Sequence, residues 1–143
     1  NHYNVIYREE EREMMPLCLA EGIGVIPWSP LARGRLARPW KVEDNTARPK
    51  GDAFGSTLYV PTEENDHRIV DTLQSLATER GVPAAQIAIA WQLTKPFVTA
   101  PIIGATKPHH IADAVAATQL TLSPEEVARL EAPYQPHPVL GFK

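Results

Sequence analysis

Apolar positions along this 143-residue chain change their period several times, and each change marks an element. Residues 3–7 (YNVIY) are β-branched and aromatic and predict the end of a strand. Residues 8–13 (REEERE) then open a helix with acidic residues near its positive end, and Met14, Leu17 and Cys18 form its apolar face. Pro16 belongs in the first turn of that helix and Gly22 stops it. Residues 23–27 (IGVIP) are continuously apolar, as strands buried on both faces are. Residues 64–80 carry the clearest helical period, in Ile69, Val70, Leu73, Leu76 and Ala77, and Gly81 ends it. Pro83 at a first helical position begins another helix, with Ile87, Ala90, Trp91 and Thr94 on one side. Residues 97–103 predict a second buried strand closed by Gly104, and residues 106–117 a helix with Ile111 and Val115 four apart. Ser123, Pro124 and Glu126 spell a capping box for a short helix bearing Val127 and Leu130, and the tail beyond it is extended.

The order strand, helix, strand, helices, strand, helix predicts an α/β fold with parallel strands and right-handed crossovers. Three such strands leave sheet edges and apolar helix faces uncovered. The chain also opens at Asn1, directly on a strand pattern. Both features predict that residues 1–143 are the C-terminal part of a larger domain. Residues 31–61 show no period, and a loop of that length in a compact domain is more often functional than inert.

Composition narrows the partners. Hydrophobic residues make up 43% and charged residues 22%, as in globular proteins, and the net charge of −3 disfavours nucleic acid or an anionic membrane. The one basic cluster, Arg33, Arg35, Arg38 and Lys41, suits a small anion better. Cys18 alone permits no intrachain disulfide or cysteine-based zinc site, in keeping with a cytoplasmic setting, and no apolar run reaches membrane-spanning length. The cysteine reads as packing and the glutamates at 9–11 as a solvated face.

In a parallel α/β sheet, ligands bind beyond the C-terminal ends of the strands. At the first such end, Trp28, Ser29, Pro30, Leu31, Arg33 and Gly34 offer a flat aromatic, a hydroxyl, turn amides and a guanidinium, which suit a planar ring and a phosphate. The same residues also suit a core tryptophan followed by a Pro-Gly turn. At the second, Gly104, Ala105, Thr106 and Lys107 lead into a helix N-terminus, a natural anion site, with His110 close by. An ordinary strand-to-helix turn would read the same. His109, His110 and Asp113 make a poor metal site, because adjacent helical histidines point apart.

With both loops in view, the sequence resembles the aldo-keto reductase family, and in particular bacterial members carrying NHYNVIYREEEREM, IPWSPLARG and PIIGATKPHHIADAVAAT. The likeness runs across essentially the whole chain, including LEAPYQPHPV. It implies a (β/α)8 TIM barrel that reduces aldehydes or ketones with NADP(H) and no metal, of which this chain would supply the last three strands and their helices. It implies that Trp28 stacks on nicotinamide and that Ser29, Pro30, Leu31, Arg33 and Gly34 wrap the pyrophosphate. Gly104, Ala105, Thr106 and Lys107 would hold the adenosine 2′-phosphate side, with His110 where many members have Arg or Gln and Asp113 near the adenine. Ala114 stands where relatives often have an Asn that contacts adenine. His110 is a weaker, pH-dependent partner for a phosphate than Arg, which leaves the preference between NADP and NAD open. The family's catalytic Asp, Tyr, Lys and His come from the other half of the barrel, so the chain is expected to bind cofactor, with no catalytic residue of its own and no activity alone. A nucleotide-sensing or regulatory subunit of the same fold is the alternative.

Overall fold

The computed structural model describes residues 1–39, 59 and 62–137. Lys41, Pro61, most of the long loop and the tail beyond His137 lie outside the described residues. Among the described residues, five α-helices carry most of the regular structure: α1 Met14–Ala20, α2 Glu63–Arg80, α3 Ala84–Leu93, α4 Pro108–Ala117 and α5 Pro124–Glu131. Single turns of 3-10 helix form at Glu9–Glu11 and Ala32–Gly34.

The expected strands are reduced to isolated bridges among the described residues. His2 pairs with Trp28, Val25 with Val98, and Trp28 with Ile102, all parallel. The segment around 25–28 therefore lies between the other two, tied by Trp28 N–H to Asn1 O at 3.0 Å and Ile102 N–H to Pro27 O at 2.8 Å. The parallel α/β order holds, but the molecule is mostly helical.

Residues 3–7 do not continue as a strand. Asn4 Oδ1 accepts from Ile6 N–H at 3.1 Å, a local bond that bends the chain, and Asn4 and Tyr7 exchange backbone bonds of 3.1 and 3.0 Å across the turn. The next helix starts at Met14 instead of Arg8, so Met15 and Cys18 face inward while Met14 and Leu17 are exposed. Gly22, at φ +66°, ends it as expected: Ile23 N–H reaches Cys18 O at 2.8 Å and Gly22 N–H reaches Leu19 O, the two bonds of a Schellman cap. The glutamates at 9–11 are not a solvated face. Glu9 accepts from Tyr134 Oη and His137 N, each at 2.6 Å, which pins the C-terminal segment to the N-terminal one, and Glu11 accepts from Tyr3 Oη at 2.5 Å within the N-terminal segment.

Neither predicted strand is buried on both faces. Val25 and Pro27 are buried, whereas Ile23, Ile26 and Ile102 are half exposed or more. Burial of a strand is a property of what packs on it, and within the described residues one face of the bridged segments carries no cover. Gly24 lies close against the neighbouring segment, since a Cβ there would lie 2.4 Å from Thr99 Oγ1.

The core sits on the other face. All five predicted positions of α2 are buried and pack on α3 and α5. α3 is buried nearly all round, with Trp91 stacked 5.5 Å from Tyr3 and its indole N–H donated to Glu131 at 2.9 Å. Pro83 is the N-cap of α3 and not its first helical residue, so the helix begins one residue later than predicted, and Thr94 is exposed at its end. Gln92 Nε2 donates to the Tyr3 carbonyl at 2.6 Å, tying α3 to the N-terminal turn. The capping box of α5 is present, with Glu126 N–H on Ser123 Oγ and Ser123 N–H on Glu126 Oε2 at 2.7 Å. Among the described residues no helix is long and apolar enough to cross a membrane.

Candidate functional site

Two loops leave the bridged segments on the same side and enclose a cleft of about 660 Å³. Trp28, Ser29, Pro30, Leu31, Arg33 and Gly34 line one wall, and Gly104, Thr106, Lys107, His110 and Asp113 line the other. Eleven of the twelve residues singled out from the sequence thus meet at one place; Ala105 lies outside the lining. Arg38 joins Arg33 in the wall, while Arg35 instead places its guanidinium 5.1 Å from the Tyr59 ring centroid.

The first wall is conformationally unusual. Ser29, Ala32 and Arg33 have φ values of +59°, +47° and +58°, the only left-handed non-glycine residues among those described, and Gly34 follows at +97°. Such conformations cost roughly 1–3 kcal/mol each and persist where surrounding contacts over-determine them. The contacts are visible. Ser29 O accepts from Ala32 N–H at 3.0 Å and from Asn4 Nδ2 at 2.9 Å, and Leu31 O accepts from Gly34 N–H at 2.8 Å.

Trp28 sits at the base of this wall. His2 stacks on it, with ring centroids 4.5 Å apart and planes 20° apart, and Tyr7 stacks on the other face of His2 at 4.3 Å. His2 Nε2 lies 2.7 Å from Tyr59 Oη and 3.2 Å from Asn4 Nδ2, an arrangement in which the imidazole nitrogen accepts. Burial and the nearby His137 press the His2 pKa down to about 4, so the ring is neutral at pH 7. Burial likewise raises the Tyr59 hydroxyl.

The second wall departs from expectation in its start. α4 begins at Pro108, and Lys107 is its N-cap with extended backbone, because the residue before a proline is held out of the helical region. Pro108 contributes no N–H, and the Thr106 N–H is taken by His110 Nδ1 at 3.3 Å. Lys107 adds an ammonium side chain to this wall. A Cβ on Gly104 would meet nothing within 4 Å, so this point of the chain opens onto free space. Asp113 is held by Gln86 Nε2 at 2.9 Å, and the rings of His109 and His110 stand edge to face at 82°.

Pro83 at the cap of α3, Ala85 and Ile89 within it, and Ile102 and Ile103 supply apolar lining. Sequence reasoning did not find them. The signal available was that α3 is apolar all round, which a helix facing only a core does not require.

A model of the Aldo/keto reductase family matches residues 1–135. The chain belongs to that family. Versiconal hemiacetal acetate reductase of Aspergillus parasiticus is 48% identical over 137 residues, 95% of this chain and 39% of that protein. An aldo-keto reductase of Fusarium vanettenii is 44% identical over 141 residues, 99% of this chain and 37% of the other. Among solved structures, a thermostable aldo-keto reductase in complex with the inhibitor epalrestat matches with a TM-score of 0.66 and 26% identity, over 92% of this chain and 38% of that one. The glycerol dehydrogenase of Gluconobacter oxydans shares the fold at a TM-score of 0.76 and 22% identity, over 96% of this chain and 42% of the other. The chain spans about two fifths of the length of these relatives. Aldo-keto reductases are oxidoreductases that fold as TIM barrels, and the three parallel segments with their helices correspond to part of such a barrel.

Proposed function

We propose that residues 1–143 form the cofactor-binding C-terminal portion of an NADP(H)-dependent aldo-keto reductase that reduces aldehydes or ketones to alcohols in the cytoplasm. The observation that carries this reading is the cleft in which a strained Trp28–Gly34 loop faces Gly104, Lys107 and His110. The residues present fit a dinucleotide. The cleft falls in the 300–1,000 Å³ range usual for small-molecule sites, Arg33, Arg38 and Lys107 outnumber the lone Asp113 carboxylate, and an indole lies at one end. When bound, the reduced nicotinamide supplies the hydride for carbonyl reduction. Trp28 would stack against that ring, Ser29, Pro30, Leu31, Arg33 and Gly34 would wrap the pyrophosphate, and Gly104, Ala105, Thr106, Lys107, His110 and Asp113 would take the adenosine end.

None of these side chains is assigned as the acid that protonates the carbonyl oxygen, and we assign the chain by itself no turnover. The relatives' substrates are their own; a small carbonyl compound is the class proposed here. Titration of the full protein with NADPH tests the reading. Trp28→Ala is expected to weaken binding by about tenfold, the scale of a lost aromatic contact. An unchanged titration would remove Trp28 from the site.

A further inference from the structure

Resting on the reading of the cleft as a cofactor site, we propose that Asn4 is a positioning residue that holds the Trp28–Gly34 loop in its binding shape from beneath. Asn4 is 1% exposed and does not line the cleft, yet its side chain touches both ends of what the loop must fix. Its Nδ2 donates at 2.9 Å to the carbonyl of Ser29, the first of the three left-handed residues. That carbonyl also accepts the Ala32 N–H, so two donors set the peptide plane where the loop turns. The second Nδ2 proton faces His2 Nε2 at 3.2 Å and Tyr59 Oη at 3.3 Å, which fixes the imidazole stacked on Trp28. The other end of the amide is committed as well, since Oδ1 accepts from Ile6 N–H. One buried amide thus joins the N-terminal turn, the indole and the strained backbone. A loop already held in shape loses less freedom when a ligand arrives, and affinity gains accordingly.

Asn4→Asp isolates this role, because it keeps the size and the oxygen that receives Ile6 N–H but turns the donor facing Ser29 into an acceptor. In the full protein the variant is expected to bind NADPH about tenfold more weakly, with amide resonance shifts concentrated at residues 29–34. A general loss of packing would instead spread the resonance shifts through the core and would not confine them to the loop. Binding within twofold of the unaltered protein, or unmoved loop resonances, would overturn the proposal. Should the variant not fold, side-chain amide exchange in the unaltered protein decides instead: slow exchange of the Asn4 Nδ2 protons supports the clamp, and free exchange refutes it. If the unaltered protein does not bind NADPH, the cofactor reading fails separately, and the loop resonances alone judge Asn4.

Discussion

Lowering the pH should destabilise the protein through His2, and the size of the effect follows from its surroundings. The imidazole is 8% exposed, sandwiched between Tyr7 and Trp28, and accepts from the Tyr59 hydroxyl. Burial first, then the neighbouring His137, brings its pKa from 6.5 to about 4. Between those values the unfolded chain holds a proton that the folded chain refuses, so stability rises with pH across the window and falls as pH drops from 6.5 towards 4. One proton corresponds to at most ~1.4 kcal/mol per pH unit, and the full shift to about 3 kcal/mol. Asp66, raised by burial against the opposing pull of His137, acts in the other direction at the acid end. The assay is therefore differential. Urea midpoints are measured at pH 7, 6, 5 and 4 for the unaltered protein and for His2→Phe, which keeps a flat ring in the stack and removes the titration. The variant should show the shallower loss on acidification. Parallel pH profiles would refute the assignment of a buried neutral His2.

Two further perturbations test the fold around the site. Ser123→Ala removes one half of the α5 capping box and should cost ~1 kcal/mol, read as a lower thermal midpoint. Gly24→Ala brings a Cβ against Thr99 and should cost on the order of 1–3 kcal/mol in urea unfolding, with Thr99→Ala in the same chain removing most of that penalty; simple additivity of the two would show that the contact is not the cause.

What the sequence made legible were features set by local chemistry. The five buried positions of α2, the Schellman glycine at 22 and the Ser123–Glu126 box follow from spacing alone. Both loops of the cleft are legible because a Trp-Ser-Pro run and a Gly-Ala-Thr-Lys run each follow an apolar segment. Illegible were features that depend on distant partners. Residues 3–7 have strand composition, but the Asn4 side chain offers Ile6 a competing bond and turns the chain. Ile23 and Ile26 read as core, yet their burial depends on what packs against that face. Pro108 shifted the start of α4 and gave the Thr106 amide to His110, a consequence of proline geometry that the helical period of residues 106–117 does not reveal. Asn4 and His2 fall within the NHYNVIYREEEREM run, but that run does not show their roles, which lie in bonds to residues 25 to 57 positions away.

The central claim is that nucleotide binds between the Trp28–Gly34 loop and the Gly104–His110 loop. NADPH titration of the full protein, followed residue by residue through backbone amide resonances, tests it most directly. Saturable shifts at both loops that weaken together in Trp28→Ala are the predicted result. Saturable binding with shifts confined elsewhere, or no binding up to ~1 mM NADPH, would contradict it.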